Sequence, residues 1–359
     1  MSNNLISALR LIRSENIGPR TFFSLIEKFG SAQEALNNIP EIIAKSKRKI
    51  KICSVEAASI EIEKTQKLGV SILSFEDENY PQLLRETYDP APVLFYKGNI
   101  DLLKKDGIGI VGTRNSSANG CAIARKLAEE IGDAGYTTIS GLARGVDTEA
   151  HKASLATGTI AVVAGGLDSI YPPENKKLFE QIEERGLIIG ENPVGTEPVA
   201  RHFPQRNRII AGLSVGLLVV EAAKRSGSLI TAEYAAKEGR EVFAVPGSPL
   251  DPRCSGTNYL IKNGACLVES IDDIIENLGK GHVPILKESE SEYQEEITVD
   301  IESAKDEVVA KLSTSPIDVD EIAQQTELPI QAVNEVLLEL ELEGKLERSW
   351  GNVVSLRVA

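Results

Sequence analysis

The chain is short of the residues and runs that would tie it to a metal, a disulfide framework or a membrane. Its four cysteines, Cys53, Cys121, Cys254 and Cys266, include no pair in C-x-x-C spacing, which speaks against a zinc site and against a disulfide scaffold. They read as reduced, mostly buried thiols, and neither a metal nor another cofactor is expected. No apolar run reaches the roughly 18 residues that a membrane-spanning helix needs. The opening "MSNNLISALRLIRSENIG" has no basic segment, long apolar core and small-residue cleavage site in succession, so a cytoplasmic address is expected, with no membrane partner. Positive charge is scarce too: 39 basic against 53 acidic residues leave a formal net charge of -14. Against that background "RHFPQRNRIIAG", residues 201–212, gathers three arginines and one of only three histidines within eight residues. Such a concentration of cations points to an anionic target.

What is present is an ordinary globular composition, 42% hydrophobic and 26% charged over 359 residues, enough for two or three domains. From about residue 105 to 278, short β-branched apolar runs alternate with amphipathic segments. The runs are "IGIVGT", "YTTISG", "TIAVVAGG", "LIIGEN", "VGLLVVEAA" and "EVFAVPG". Continuous apolar strands separated by helices imply a parallel sheet buried on both faces. The expected fold class is therefore α/β, an extended Rossmann-like, doubly wound, mostly parallel sheet over residues 71–280. Ligands of such sheets sit beyond the carboxyl ends of the strands.

The flanks differ. Residues 1–70 are helical and carry a net +4. In "NIGPRTFFSLIEKFGS" two short helices meet at "IGP", and Phe22, Leu25, Ile26 and Phe29 make one apolar face. This resembles a helix-hairpin-helix or sterile-alpha-motif-like module, either a backbone-phosphate contact or a packing domain. Residues 281–300 lose all periodicity and hold six acidic residues against one lysine, as a solvated linker would. Residues 301–359 run helix, turn, helix and then "GKLERSWGNVVSLRV", which alternates like a hairpin; the order resembles a winged helix. Its net charge is -7, and "LPIQAVNEVLLELELEGK" has no Arg or Lys before Lys345. Reading a major groove takes cations for phosphates and bases, so this domain is expected to touch protein or simply to pack.

Four loops of the α/β region offer anion-binding chemistry. "GIGIVG", 107–112, satisfies G-x-G-x-x-G, but Ile108, Ile110 and Val111 form the strand itself, so a dinucleotide fingerprint is not indicated. The turn proper, "GTRNSSANG", supplies Gly112, Arg114, Ser116 and Ser117 ahead of a helix, where amides, hydroxyls and a guanidinium can hold a phosphate. "SGLARGVDTEAH" adds Gly141 and Arg144; His151, four residues after Asp147, can pair with it on one helical face, as a structural contact rather than a catalytic dyad. "GGLDSIYPPENKKL" gives Gly165 and Gly166 for close backbone approach, Tyr171 as a stacking platform, and Lys176 and Lys177 nearby. "EAAKRSGSLITAEYAA" opens a helix with Ser226, Gly227, Ser228 and Thr231. With "RHFPQRNR" beside them, the loops form a phosphate pocket long enough for a polyanion.

"VGTRNSS", "SGLARGVDTEAH", "GGLDSIYPPEN", "FPQRNRIIAGLS", "VVEAAKRSGSLITA" and "VPGSP", in this order, resemble the DNA-processing protein A family, also called Smf, across most of residues 70–270. The flanking helical module and winged helix are similar to those of three-domain members. The resemblance implies a non-enzymatic protein of natural transformation and recombination that binds incoming single-stranded DNA, protects it and helps load the RecA recombinase. It puts the DNA-contacting arginines at Arg114, Arg206 and Arg208; the family's lysine has no exact counterpart near "YPPEN", and Lys176 is taken in its place. "RHFPQRNRIIAG", with Phe203 and Asn207, becomes the wall of a single-strand groove. It also implies a homodimer. The stretch "TNYLIKNGACLVESIDDIIENL", read as helix, strand and helix, ends the sheet and is expected to leave Leu260 and Ile261 uncovered as the interface.

The alternative is a nucleotide-cleaving phosphoribohydrolase on a related sheet. Those enzymes carry a P-G-G-x-G-T-x-x-E loop whose glutamate does the chemistry. In "SGSLITAE", Glu233 follows Thr231 by two positions rather than three, and no nucleophile and base are arranged together.

Overall fold

The computed structural model describes residues 3–45, 51–281, 301–326, 328–349 and 352–357. The expected linker, 281–300, lies outside the described residues except for Gly281. Two compact units emerge, one within 60–286 and one combining 1–59 with 287–359. No helix among the described residues is long and apolar enough to cross a membrane.

In the second of these units α1 (Asn3–Ile12), α2 (Pro19–Phe29) and α3 (Ala32–Lys45) lead to α4 (Val55–Lys67), through which the unit boundary runs. Pro19 starts α2, where its missing N–H costs nothing, and Gly30 ends it at φ 81° with its amide on the Ile26 carbonyl. Phe22 and Leu25 are buried as their spacing predicts, while Ile26 and Phe29 are half-buried.

The larger unit follows in chain order as β1 (Ser71–Ser74), α5 (Gln82–Arg85), β2 (Val93–Gly98), β3 (Gly107–Val111), α6 (Ala118–Asp133), β4 (Thr137–Ser140), α7 (Val146–Ala153), β5 (Thr159–Val163) and α8 (Lys176–Arg185). It continues with β6 (Leu187–Gly190), α9 (His202–Leu213), β7 (Gly216–Val219), α10 (Gly227–Lys237), β8 (Glu241–Ala244), α11 (Ser255–Lys262), β9 (Cys266–Leu267) and α12 (Ile271–Gly281). Its nine strands lie in the order β1-β2-β6-β5-β4-β3-β7-β8-β9. All six apolar runs are strands, β3 to β8, and every residue of β3, β4, β5, β6 and β7 is buried, as a sheet covered on both faces requires. Ile108, Ile110, Leu127, Ile131, Val146, Leu218 and Phe243 pack one of those faces against α6 and α7.

Strands β1, β2 and β9 carry no such signal. β1 and β2 pair antiparallel with each other, and β2 with β6, so they lack the strand-helix alternation that marks the parallel set. The chain moves outward from β3 through β6, then returns through α9 to lay β7 on the other side of β3. The order therefore reverses between β3 and β7, the place where a doubly wound sheet opens a crevice.

The C-terminal part has α13 (Ile301–Lys311), β10 (Ile317–Asp318), α14 (Val319–Thr326), α15 (Ile330–Leu342), β11 (Leu346–Ser349) and β12 (Val353–Leu356), with strand order β10-β12-β11. A core of Val308, Val319, Ile322, Val333, Leu337 and Val354 holds it together. Three of its cations pair with its own carboxylates: Lys305 with Glu339 and Glu343, Lys345 with Glu343, and Arg348 with Glu341. Within the same unit Lys28 of α2 pairs with Glu335 of α15, and Arg20 donates to Asn352 at 3.2 Å.

Candidate nucleic-acid interface

At the reversal between β3 and β7 the carboxyl edge holds a cavity of about 410 Å³. Nine residues expected at the site line it: Gly112, Arg114, Phe203, Arg206, Asn207, Ser226, Gly227, Ser228 and Thr231. Val111, Ala143, Asp147, Pro204, Ile210 and Ile230 complete the wall. A narrower hollow beside it is lined by Gly141, Gly165 and Tyr171 and shares Phe203 and Arg206.

The rim is a strip of three stacked groups. The guanidinium of Arg114, exposed on the loop after β3, lies 4.9 Å from the centroid of Phe203, within cation–π range. Phe203 in turn meets Tyr171 edge-on, 5.6 Å between centroids. Below the strip Arg206 is buried. Its Nη1 donates to the carbonyls of Gly141 and Val162, and its Nε to Asn207 Oδ1 at 3.2 Å. Burial lowers its pKa to about 10, with Asp147 opposing and Arg114 adding to the shift, so the guanidinium still carries its charge at neutral pH. Gly141 is glycine because a Cβ there would collide with that guanidinium. On the far wall Ser226 caps α10, accepting from the Ser228 amide at 3.4 Å, while Asn207 Nδ2 donates to the Gly227 carbonyl at 3.3 Å.

Other expected residues are placed differently. Ser116 and Ser117 do not present their donors to a ligand. Ser116 Oγ donates to Glu221 Oε2 at 2.8 Å, the Ser117 amide to the same oxygen at 2.9 Å, and Ser117 Oγ to Oε1. The amides of Gly141 and Ala143 are likewise taken by Asp147, at 3.1 and 3.2 Å. Burial raises the Asp147 pKa, although Arg206 and these amides oppose it. The expected Asp147–His151 pair does not form; His151 Nδ1 is 2.7 Å from Thr159 Oγ1 instead. Gly165 and Gly166 admit the chain's own backbone rather than a phosphate: a Cβ would stand 2.8 Å from the Thr196 carbonyl in one case and 2.5 Å from that of Pro193 in the other. Arg144 is exposed and 3.8 Å from Glu174, and Lys176 is exposed at the start of α8; neither lines the cavity.

Arg208 is the sharpest correction. Its Nη2 reaches both oxygens of Glu191 at 2.6 and 2.7 Å, and its Nη1 donates to the Asp89 carbonyl. Two residues along a helix turn a side chain by about 200°, so Arg206 and Arg208 cannot share one edge. The groove-wall reading of "RHFPQRNRIIAG" narrows to Phe203, Pro204, Arg206, Asn207 and Ile210, the residues of this stretch that line the cavity, and every residue from Arg206 to Leu213 is buried. Leu260 and Ile261 are half-buried on α11 rather than uncovered. The large exposed apolar side chains nearby are Tyr259, Leu267 and Leu250.

Sequence reasoning passed over Glu221, and over Lys224 and Arg225, which are exposed in the loop after β7. A signal existed for Glu221: a carboxylate ending the otherwise apolar run "GLLVVE" must find donors when its strand is buried.

Comparison with known proteins places the chain among relatives. A family model described as DNA recombination-mediator protein A matches residues 71–279, a DprA-like N-terminal HHH domain residues 2–63, and a DprA winged helix domain residues 295–352. The protein Smf of Synechocystis sp. is 37% identical over 324 residues, 81% of this chain and 81% of that protein. The crystal structure of DNA processing protein A from Streptococcus pneumoniae superposes with a TM-score of 0.64 at 35% identity, covering 77% of this chain and 98% of the other. A solved structure of DNA processing protein A from Helicobacter pylori, described for its single-stranded DNA binding mode, gives 0.54 at 31% identity over 59% of this chain and 96% of the other. With the matched region spanning the whole parallel sheet and the crevice at its reversal, the chain belongs to the DNA recombination-mediator protein A family.

Proposed function

We propose that this protein binds single-stranded DNA across the carboxyl edge of its sheet, in recombination and natural transformation, and performs no chemistry on it. The observation that carries this reading is the strip Arg114–Phe203–Tyr171 above the buried charge of Arg206. Aromatic faces beside cations take unstacked bases and phosphates together, which a duplex cannot offer. The absence of chemistry is supported by Asp147 and Glu221, which use up amides that a mononucleotide phosphate would need, and by the spacing of "SGSLITAE". The structure of the Helicobacter relative bears on single-stranded DNA. In this reading the protein works in the cytoplasm as a homodimer, protects the strand and hands it to the RecA recombinase.

Arg114→Ala tests the reading. It is expected to weaken binding of oligothymidine and of mixed-sequence strands alike, and to lower the salt slope by about 0.7 for each phosphate that is no longer neutralised. Sequence-dependent weakening would mean base readout, and unchanged affinity would take Arg114 out of the site. Release of free base from nucleoside monophosphates would restore the hydrolase alternative.

A further inference from the structure

We infer that Glu221 is an internal stand-in for phosphate, which closes the first strand-to-helix turn to free nucleotides and so makes the site selective for a polymer. The inference rests on the binding role proposed above. In a doubly wound sheet the turn after the first parallel strand is the ordinary phosphate site, because the helix that follows presents unpaired amides and a positive dipole end. Here that turn runs from β3 to α6, a 16-residue helix, and its serine donors are already engaged. Glu221, at the carboxyl end of the neighbouring strand β7, is 5% exposed. Its two oxygens accept from Ser116 Oγ, Ser117 N and Ser117 Oγ, the set of donors that two phosphate oxygens would take.

The place is built for that carboxylate. A Cβ on Gly120 would collide with Glu221 Cδ, so the first turn of α6 is cut away to let the carboxylate in. The Glu221 carbonyl also accepts from the Thr113 amide at 2.7 Å, which pins the loop bearing Arg114 from its other end. One residue therefore does two things. Its carboxylate displaces a free phosphate from the turn that a doubly wound sheet ordinarily offers to anions, and its carbonyl pins the loop that carries Arg114, whose guanidinium lies over Phe203, where a strand can pass. A mononucleotide keeps only the rim contacts, whereas a polymer repeats them along its length.

The test uses the full-length protein with Glu221→Gly and Glu221→Ser, which vacate the place, and Glu221→Gln, which fills it with the same shape. Inorganic phosphate is titrated against chloride at constant ionic strength. The two small variants are expected to gain thermal stability with phosphate, by about 2–4 °C for each kcal/mol of binding linkage in a domain of this size. Wild type and Glu221→Gln are expected to show no such gain. In the small variants phosphate is further expected to compete with oligothymidine. A purely structural glutamate would lower the melting temperature without creating a response to phosphate. The inference is overturned if folded small variants show no response, if wild type responds equally, or if neither small variant folds, since Glu221 would then serve stability alone. Should wild type fail to bind oligothymidine while the variants gain a phosphate response, the proposed role falls and the phosphate surrogate stands.

Discussion

Arg206 and Arg208 differ by two positions and have opposite electrostatic fates. Arg206 loses solvent, the charge of Asp147 offsets only part of that loss, and its pKa falls to about 10. Burial also acts against the charge of Arg208, but Glu191 and Asp89 more than offset it, and its pKa rises above the free value. The first remains an available charge beside a cavity; the second is spent on a buried ion pair that costs several kcal/mol to break from one side, about 3–5 in comparable cases. The same field acts on His151, whose pKa burial, and then Arg206, lower to about 3. Between the ordinary value of 6.5 and about 3 the unfolded chain binds a proton at this position and the folded chain does not. This group's contribution to stability is therefore complete above pH 6.5 and falls as the pH drops, with a slope of about 1.4 kcal/mol per pH unit. Urea unfolding at pH 6.5, 5.5 and 4.5 is expected to reveal that slope, and His151→Gln to remove its share. An unchanged slope in the variant would mean that other groups carry the acid sensitivity.

At the scale of elements, α9 and α15 both break the expectation attached to a cation-rich or recognition-type helix. α9 is driven inward by Ile209, Ile210, Ala211 and Leu213, and its arginines follow it into the interior, where carbonyls and carboxylates satisfy them. α15 carries Glu335, Glu339 and Glu341, which pair with Lys28, Lys305 and Arg348. A helix whose polar face is acidic and already paired has little to offer a phosphate backbone. A chain ending at Lys280 is therefore expected to keep its affinity for oligothymidine in a fluorescence anisotropy titration. A tenfold weakening, about 1.4 kcal/mol, would show that the C-terminal domain contributes to binding.

For the whole molecule the net charge of -14 does not oppose DNA binding at one edge. Charges more than about 10 Å apart are largely screened in 0.1 M salt, so contacts at the crevice decide affinity while the carboxylates elsewhere govern solubility. The other end of the sheet bears on assembly. β9 is a two-residue edge strand, and Leu267 on it and Tyr259 on α11 are 44% and 58% exposed. If the protein forms the proposed homodimer, these exposed apolar side chains near a short sheet edge are where the second copy is expected to dock. Tyr259→Glu combined with Leu267→Glu is expected to give a folded monomer by sedimentation, with weaker binding of long strands because two linked sites hold one strand better than either alone. A wild-type protein that sediments as a monomer would sink the idea, and a persistent dimer in the variant would move the interface elsewhere.

The sequence by itself determined the parallel sheet, its six central strands and the loops gathered at its carboxyl edge. These follow from local causes: continuous apolar runs, helical spacing and glycine at turns, each legible within about ten residues. The neighbourhood of Arg114, Phe203 and the Ser226–Thr231 turn was also legible, because strand ends in a doubly wound sheet must gather on one edge. Which donors remain free there was decided only in three dimensions. Ser116 and Ser117 meet a carboxylate more than a hundred residues away, and Arg208 meets Glu191 and Asp89. Motif and composition count cations and hydroxyls, but a charge is available to a ligand only if folding has left it without a closer counter-charge, and that pairing is a property of the packed interior.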